Sequence, residues 1–154
     1  LLYMGDLHDW FAKNAPSGWH ELRQRIASIL QRDGELQEVV QLVGPDALQD
    51  QERLVLEVGR MIREVFLQQN AFNDNDATCS LEKMAGIKQC LTDFYEESRK
   101  VIEQGISLAR ILELPAREQI ARLRDVHNDQ FGPKKEEVYG QMKQSLADLA
   151  AKKG

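Results

Sequence analysis

A chain of 154 residues with 42% hydrophobic and 29% charged side chains has the composition of one globular domain with a packed core. Its formal charge of −5 disfavours a nucleic acid or an anionic membrane surface as partner. No apolar run approaches the ~20 residues that span a bilayer.

Apolar residues recur at helical spacing nearly throughout, and no stretch alternates as a strand does. The expected fold class is therefore all-α, a helical bundle forming a single domain over residues 1–154. The opening LLYMGDLHDW lacks the basic segment of a signal peptide, and a start at Leu1 predicts a piece of a longer chain. Residues 5–15 read as a short helix ended by Pro16. Residues 19–31 read as the next, with Trp19, Leu22, Ile26, Ile29 and Leu30 apolar. Gly34 is expected to interrupt it and Glu35 to Val43 to resume it. In GPDALQDQE, Gly44 stops that helix and Pro45 cannot continue it. Asp46 with Gln49 three residues on has the form of a capping box, and Asp50 is a rival N-cap. The following helix places Leu54, Val58, Met61, Ile62 and Val65 on one face and runs to about Gln69.

NDNDAT, Asn73 to Thr78, reads as a polar loop, and Ser80 as the cap of the next helix. That helix carries Met84, Ile87, Leu91, Phe94, Val101 and Ile102 inward as far as about Gln104, and Gly105 terminates it. Its Glu96 and Lys100 form an i, i+4 pair on a solvated face. Ser107 to Leu114 is a short helix, and Pro115 opens another that ends near Asp125. NDQFGP, Asn128 to Pro133, reads as a loop before a final amphipathic helix, Lys134 to Lys153. The tail, residues 126–154, has no assigned partner.

The sequence contains no phosphate-binding G-x-x-x-x-G-K-[ST], no G-x-G-x-x-G and no nucleophile elbow. His8, His20 and His127 lack metal-ligand spacing. Cys79 and Cys90 match no zinc pattern and are expected to stay reduced. No catalytic and no metal-binding residue is assigned. From the residues alone, the chain reads as an interaction module.

Two segments carry a resemblance. ELQEVVQLVGPDALQDQERLVLEVGRMIREVFLQQNAF, Glu35 to Phe72, resembles the C-terminal helical domain of the catalytic A subunit of vacuolar-type and archaeal-type rotary ATPases. WHELRQRIASILQ before it, and the stretch from Cys79 to Leu123 after it, fit the same domain. LVGPDAL and FLQQNAF at this spacing are the specific part. The resemblance implies a parent chain with a β-barrel, a nucleotide-binding domain and this bundle. It implies a head in which three A subunits alternate with three B subunits around a central stalk. Such a head is cytoplasmic and only peripheral to the membrane. There, ATP hydrolysis or synthesis is coupled to proton or sodium transport. The phosphate loop would lie upstream, so this stretch alone is expected to hydrolyse no ATP and to gain little thermal stability from millimolar ATP. It would hold no cofactor of its own, while the parent enzyme takes ATP or ADP with magnesium.

The resemblance also implies two sites. On residue chemistry alone, VFLQQNAF reads as two packing phenylalanines with amides that cap a helix end. The resemblance makes Gln69, Asn70, Ala71 and Phe72 part of an adenine pocket, with Phe72 against the ring and Phe66 in the core. It likewise makes the turn of Gly44, Pro45, Asp46, Ala47, Leu48, Asp50 and Glu52 a rotor contact, its acids attracted to a basic surface. The bland alternative is an ordinary capped hairpin with solvated acids. Replacing Asp46 or Asp50 by Lys is expected to weaken coupling without unfolding the domain. The sequence departs from the family at Gln49, where relatives carry proline, and at NDNDATC, where they carry an aromatic. A stand-alone helical module without nucleotide binding is the alternative reading.

Overall fold

The computed structural model describes residues 17–71 and 81–153, and every element among them is helical. Helix α1 is Ser17–Val43, and a 3-10 turn, Pro45–Ala47, follows. Then come α2, Asp50–Ala71, and α3, Leu81–Glu103. Two short helices, α4 (Leu108–Leu112) and α5 (Ala116–Arg122), lead into a second 3-10 turn, Leu123–Asp125. Helix α6, Asn128–Lys153, ends the chain. The expected helix over residues 5–15, the loop from Asn73 to Thr78, the cap Ser80 and Cys79 lie outside the described residues.

The apolar faces meet in one core. Leu54, Val58, Met61, Ile62 and Val65 of α2 pack with Ile87, Leu91 and Phe94 of α3, and all are at most 4% exposed. Ile26 and Ile29 of α1 join from one side. Val138, Met142 and Leu146 of α6 join from another. Burying side chains of this size stabilises by roughly 1.5–3 kcal/mol each before chain entropy is subtracted. The tail of unassigned partner thus has one within the chain itself, the face of α3.

Contacts fix the directions. Gly59 of α2 lies against Asp33 of α1, and Val55 packs with Leu36, so the two helices run antiparallel. Gly86 faces Phe131, Lys135 bonds Gln89 and Tyr139 bonds Asp93, so α3 and α6 run parallel. Two parallel helices need a return path between them. The segment through α4 and α5 supplies it, held at its start, middle and end by polar contacts with α2 and α3. Asp50 Oδ2 accepts the Leu108 N–H at 2.9 Å. Arg117 Nη1 donates to Glu57 at 2.6 Å. The buried Lys83 ammonium donates to the carbonyls of Arg124, at 2.9 Å, and Val126. A cation there also suits the helix end that those carbonyls close.

Four local expectations need correction. Gly34 does not break α1, which is continuous through it. Packing on both sides of the glycine outweighs a propensity penalty of only ~1 kcal/mol. Asn128 to Pro133 is not a loop but the first turns of α6. Pro133 there removes a single bond, and the buried Phe131 holds the segment against α3. The box expected from Asp46 and Gln49 sits three residues on, with Glu52 Oε1 accepting the Gln49 N–H at 3.1 Å. Glu96 pairs not with Lys100 but with Arg99, at 3.2 Å, and Lys100 lies 3.8 Å from Glu97.

Gly105 has φ 99°, and the Ile106 N–H reaches Val101 O at 3.4 Å, a Schellman end with both apolar partners buried. Gly34 has no such duty. It is helical and exposed, and an added Cβ would meet nothing within 4 Å. Gly34→Ala should therefore stabilise the chain by about 0.5–1 kcal/mol. A thermal melt checks it, and an unchanged or lower midpoint would contradict a continuous helix.

Candidate functional site

The two sequence-derived sites fall at opposite ends of one helix. The backbone of Gln69, Asn70 and Ala71 forms the last turn of α2, and Phe72 lies outside the described residues. The turn residues precede or open the same helix. At ~1.5 Å per residue the two ends are about 30 Å apart. Between them α2 is gripped on its apolar face, so it has little freedom to bend.

Near the first end, Phe66 is half-buried and packs against the core, as its place in the helical stripe predicts. The Lys88 ammonium of α3 sits 5.7 Å from its ring centroid. Burial, and then the nearby Arg23 charge, lower the Lys88 pKa. The helix end is thus bordered by an aromatic face and basic groups. Cys90, farther along α3, is a free thiol with no exposed surface, and burial pushes it up to about 12. It is a packing residue rather than a reactive one.

At the other end, Gly44 takes φ 89° and ψ 160°, a conformation that side chains strain. Its N–H closes α1 on Val40 O at 2.8 Å. Leu48 turns inward and forms a small second core with Leu36 and Val55, backed by Val40, Leu56 and Tyr95. The turn is therefore built stiffly with glutamine at position 49.

Its acids do not all face outward. Asp50 is occupied by the Leu108 N–H and anchors the return segment. Lysine there would orphan that N–H and set a cation at a helix start, so only at Asp46 can the charge of the turn be reversed without disturbing the fold. Glu52 caps Gln49 and lies 3.5 Å from Arg32. Asp46 is fully exposed, with Arg53 at 3.9 Å. Sequence reasoning missed what stands beside it. Val39, Leu42 and Val43, on the last turns of α1, are 37%, 84% and 64% exposed. Their signal was readable, because the run VVQLV outlasts the buried stripe of Leu22, Ile26, Ile29 and Leu36.

The middle of α2 is pinned electrostatically. Glu57, its side chain 16% exposed, accepts hydrogen bonds from Arg60 and Arg117. Burial raises its pKa, but the two guanidinium groups together outweigh this and hold it below the ordinary 4.5. A depressed carboxylate contributes stability above its unfolded pKa and loses it as pH falls through the folded one. The acid limb of the stability curve, below about pH 4.5, should therefore be shallower in Glu57→Gln. Urea titrations across that range check it, and identical acid limbs would contradict the pairing.

A family profile, the C-terminal domain of V and A type ATP synthase, matches residues 8–112. The chain is 44% identical over 124 residues to the A-type ATP synthase A subunit 2 of Methanospirillum hungatei, covering 80% of this chain and 21% of that one. It is 40% identical over 148 residues to the A-type ATP synthase A subunit of Methanopyrus kandleri, covering 96% and 25%. For the corresponding A subunit of Staphylothermus marinus the identity is 44% over 130 residues, covering 84% and 22%. The chain thus spans no more than 25% of the length of these relatives.

Proposed function

The chain belongs to the family of the C-terminal domain of V and A type ATP synthase, and from that premise we propose that it is the nucleotide-to-stalk transmission element of a catalytic A subunit. The parent enzyme would couple ATP hydrolysis or synthesis to proton or sodium transport, with magnesium-bound ATP or ADP as substrate. Its A subunits would alternate with B subunits in a head peripheral to the membrane. This chain's own work is mechanical. Gln69, Asn70, Ala71 and Phe72 would line one wall of an adenine pocket completed by the upstream nucleotide-binding domain. The turn from Gly44 to Glu52 would meet the central stalk.

The observation that supports this reading most is that both segments are carried by α2. Nucleotide-driven displacement of the Ala71 end would be delivered to the turn without loss, because α2 is locked laterally by its apolar face. The Asp33–Arg63 contact and the Glu57–Arg117 contact hold it on either side. An adenine ring needs a flat apolar wall and a few polar edge groups, which Phe72 and the amides offer.

The test is Phe72→Ala in the assembled enzyme. Loss of one stacking face should raise KM for ATP about tenfold, with a smaller effect on kcat. An unchanged KM would assign Phe72 to packing and leave the stand-alone interaction module as the better reading.

A further inference from the structure

The tip of the α1–α2 hairpin is apolar where its sequence reads as acidic. Leu42 and Val43 are the most exposed large hydrophobic residues among those described, and Val39 continues them along α1. Two acids flank them, Glu38 and Asp46, both exposed. The remaining acids of the turn are spent internally, Asp50 on the Leu108 N–H and Glu52 on the Gln49 N–H. The small core of Leu36, Leu48 and Val55 stiffens the hairpin directly beneath.

We infer that the hairpin docks on its partner through Leu42 and Val43, and that the partner surface is an apolar strip bordered by Lys or Arg. This rests on the reading of the turn as the stalk contact and specifies its chemistry. Charge complementarity selects that occupant. A second copy of this chain would set Glu38 and Asp46 against their own equivalents, which costs affinity. The tip also lies about 40 Å along α1 from Ser17, where the upstream chain joins the described helix. Apolar contact suits a turning partner, because it is short-ranged and non-directional, whereas a fixed ion pair holds one register. The flanking acids would then steer the approach rather than carry the load.

The experiment uses the assembled enzyme with two variants and one probe. The polar double variant, Leu42→Ser with Val43→Ser, should lower ions transported per ATP about threefold or more. Asp46→Lys should change that ratio less than about twofold. Both positions are exposed, so the melting temperature should not move, which separates lost docking from lost folding. A photo-crosslinker on Leu42→Cys should label an apolar, basic-flanked surface of the stalk. Labelling of the stalk with Asp46→Lys matching or exceeding the double variant would overturn this inference and leave the transmission role standing. Labelling of another copy of the chain, or no labelling of the stalk, would overturn both.

Discussion

Phe131→Ala should lower the stability of the domain by about 3–4 kcal/mol, the range for emptying a fully buried aromatic site. Phe131 is 1% exposed, and its ring lies where a Cβ on Gly86 would stand, 2.7 and 2.9 Å from two ring carbons. The ring thus fills a notch that only glycine leaves open on α3. It is also what holds the first turns of α6 helical despite Pro133. The variant should lose helix content at residues 128–133 as well as global stability. Gly86→Ala approaches the same contact from the other side. Alanine would gain ~1 kcal/mol of helix propensity but force the ring aside, for a net cost of about 1–2 kcal/mol. Urea unfolding with a helix-sensitive probe measures both. A cost below about 1 kcal/mol for Phe131→Ala would mean that α6 does not depend on this docking.

The second large effect is at Asp33, a carboxylate 2% exposed on α1. It pairs with Arg63 and accepts two bonds from the Gln37 amide, at 3.2 and 3.1 Å. Gly59 of α2 lies directly behind it, and a Cβ there would stand 2.6 Å from Asp33 Cγ. Asp33→Ala should cost about 2 kcal/mol, less than a fully buried pair because the Arg63 side chain retains 39% exposure and stays hydrated. Gly59→Ala should cost a similar amount, about 2 kcal/mol, by displacing the carboxylate. Together the two should not add. Alanine at position 33 removes the carboxylate but keeps its own Cβ, 2.9 Å from the added one, so in that background Gly59→Ala should cost less, about 1 kcal/mol. That reduced cost is the signature of direct contact. Additive costs in the double variant would contradict it.

Much of the bundle was legible because helical periodicity reports burial directly. Leu54, Val58, Met61, Ile62 and Val65 all lie in the core, and Gly105 ends α3 by the left-handed geometry that glycine permits. The misreadings at Gly34 and Pro133 share one cause. Breaker residues express local preferences of one to a few kcal/mol, and tertiary burial around them is larger. Asp33 was readable and missed. It occupies a position of the stripe through Ile29, Leu36 and Val40, where a carboxylate must find a partner across the interface. The contacts of the return segment were not readable, since Asp50 and Leu108 are 58 positions apart and neither is unusual in its own surroundings. The same holds for the turn. Sequence gives its charges, but which of them are consumed internally is settled by packing. The adenine-edge segment owes its assignment to resemblance, because Phe and amide residues at a helix end serve equally well as packing and caps.

The transmission account is tested most directly by photolabelling the assembled enzyme with an azido-adenine nucleotide and mapping the labelled residues by mass spectrometry. The account predicts a label within Gln69 to Phe72, suppressed by excess ATP. A saturable label confined to other segments, with this one untouched, would contradict it and return the domain to a bundle that senses no nucleotide.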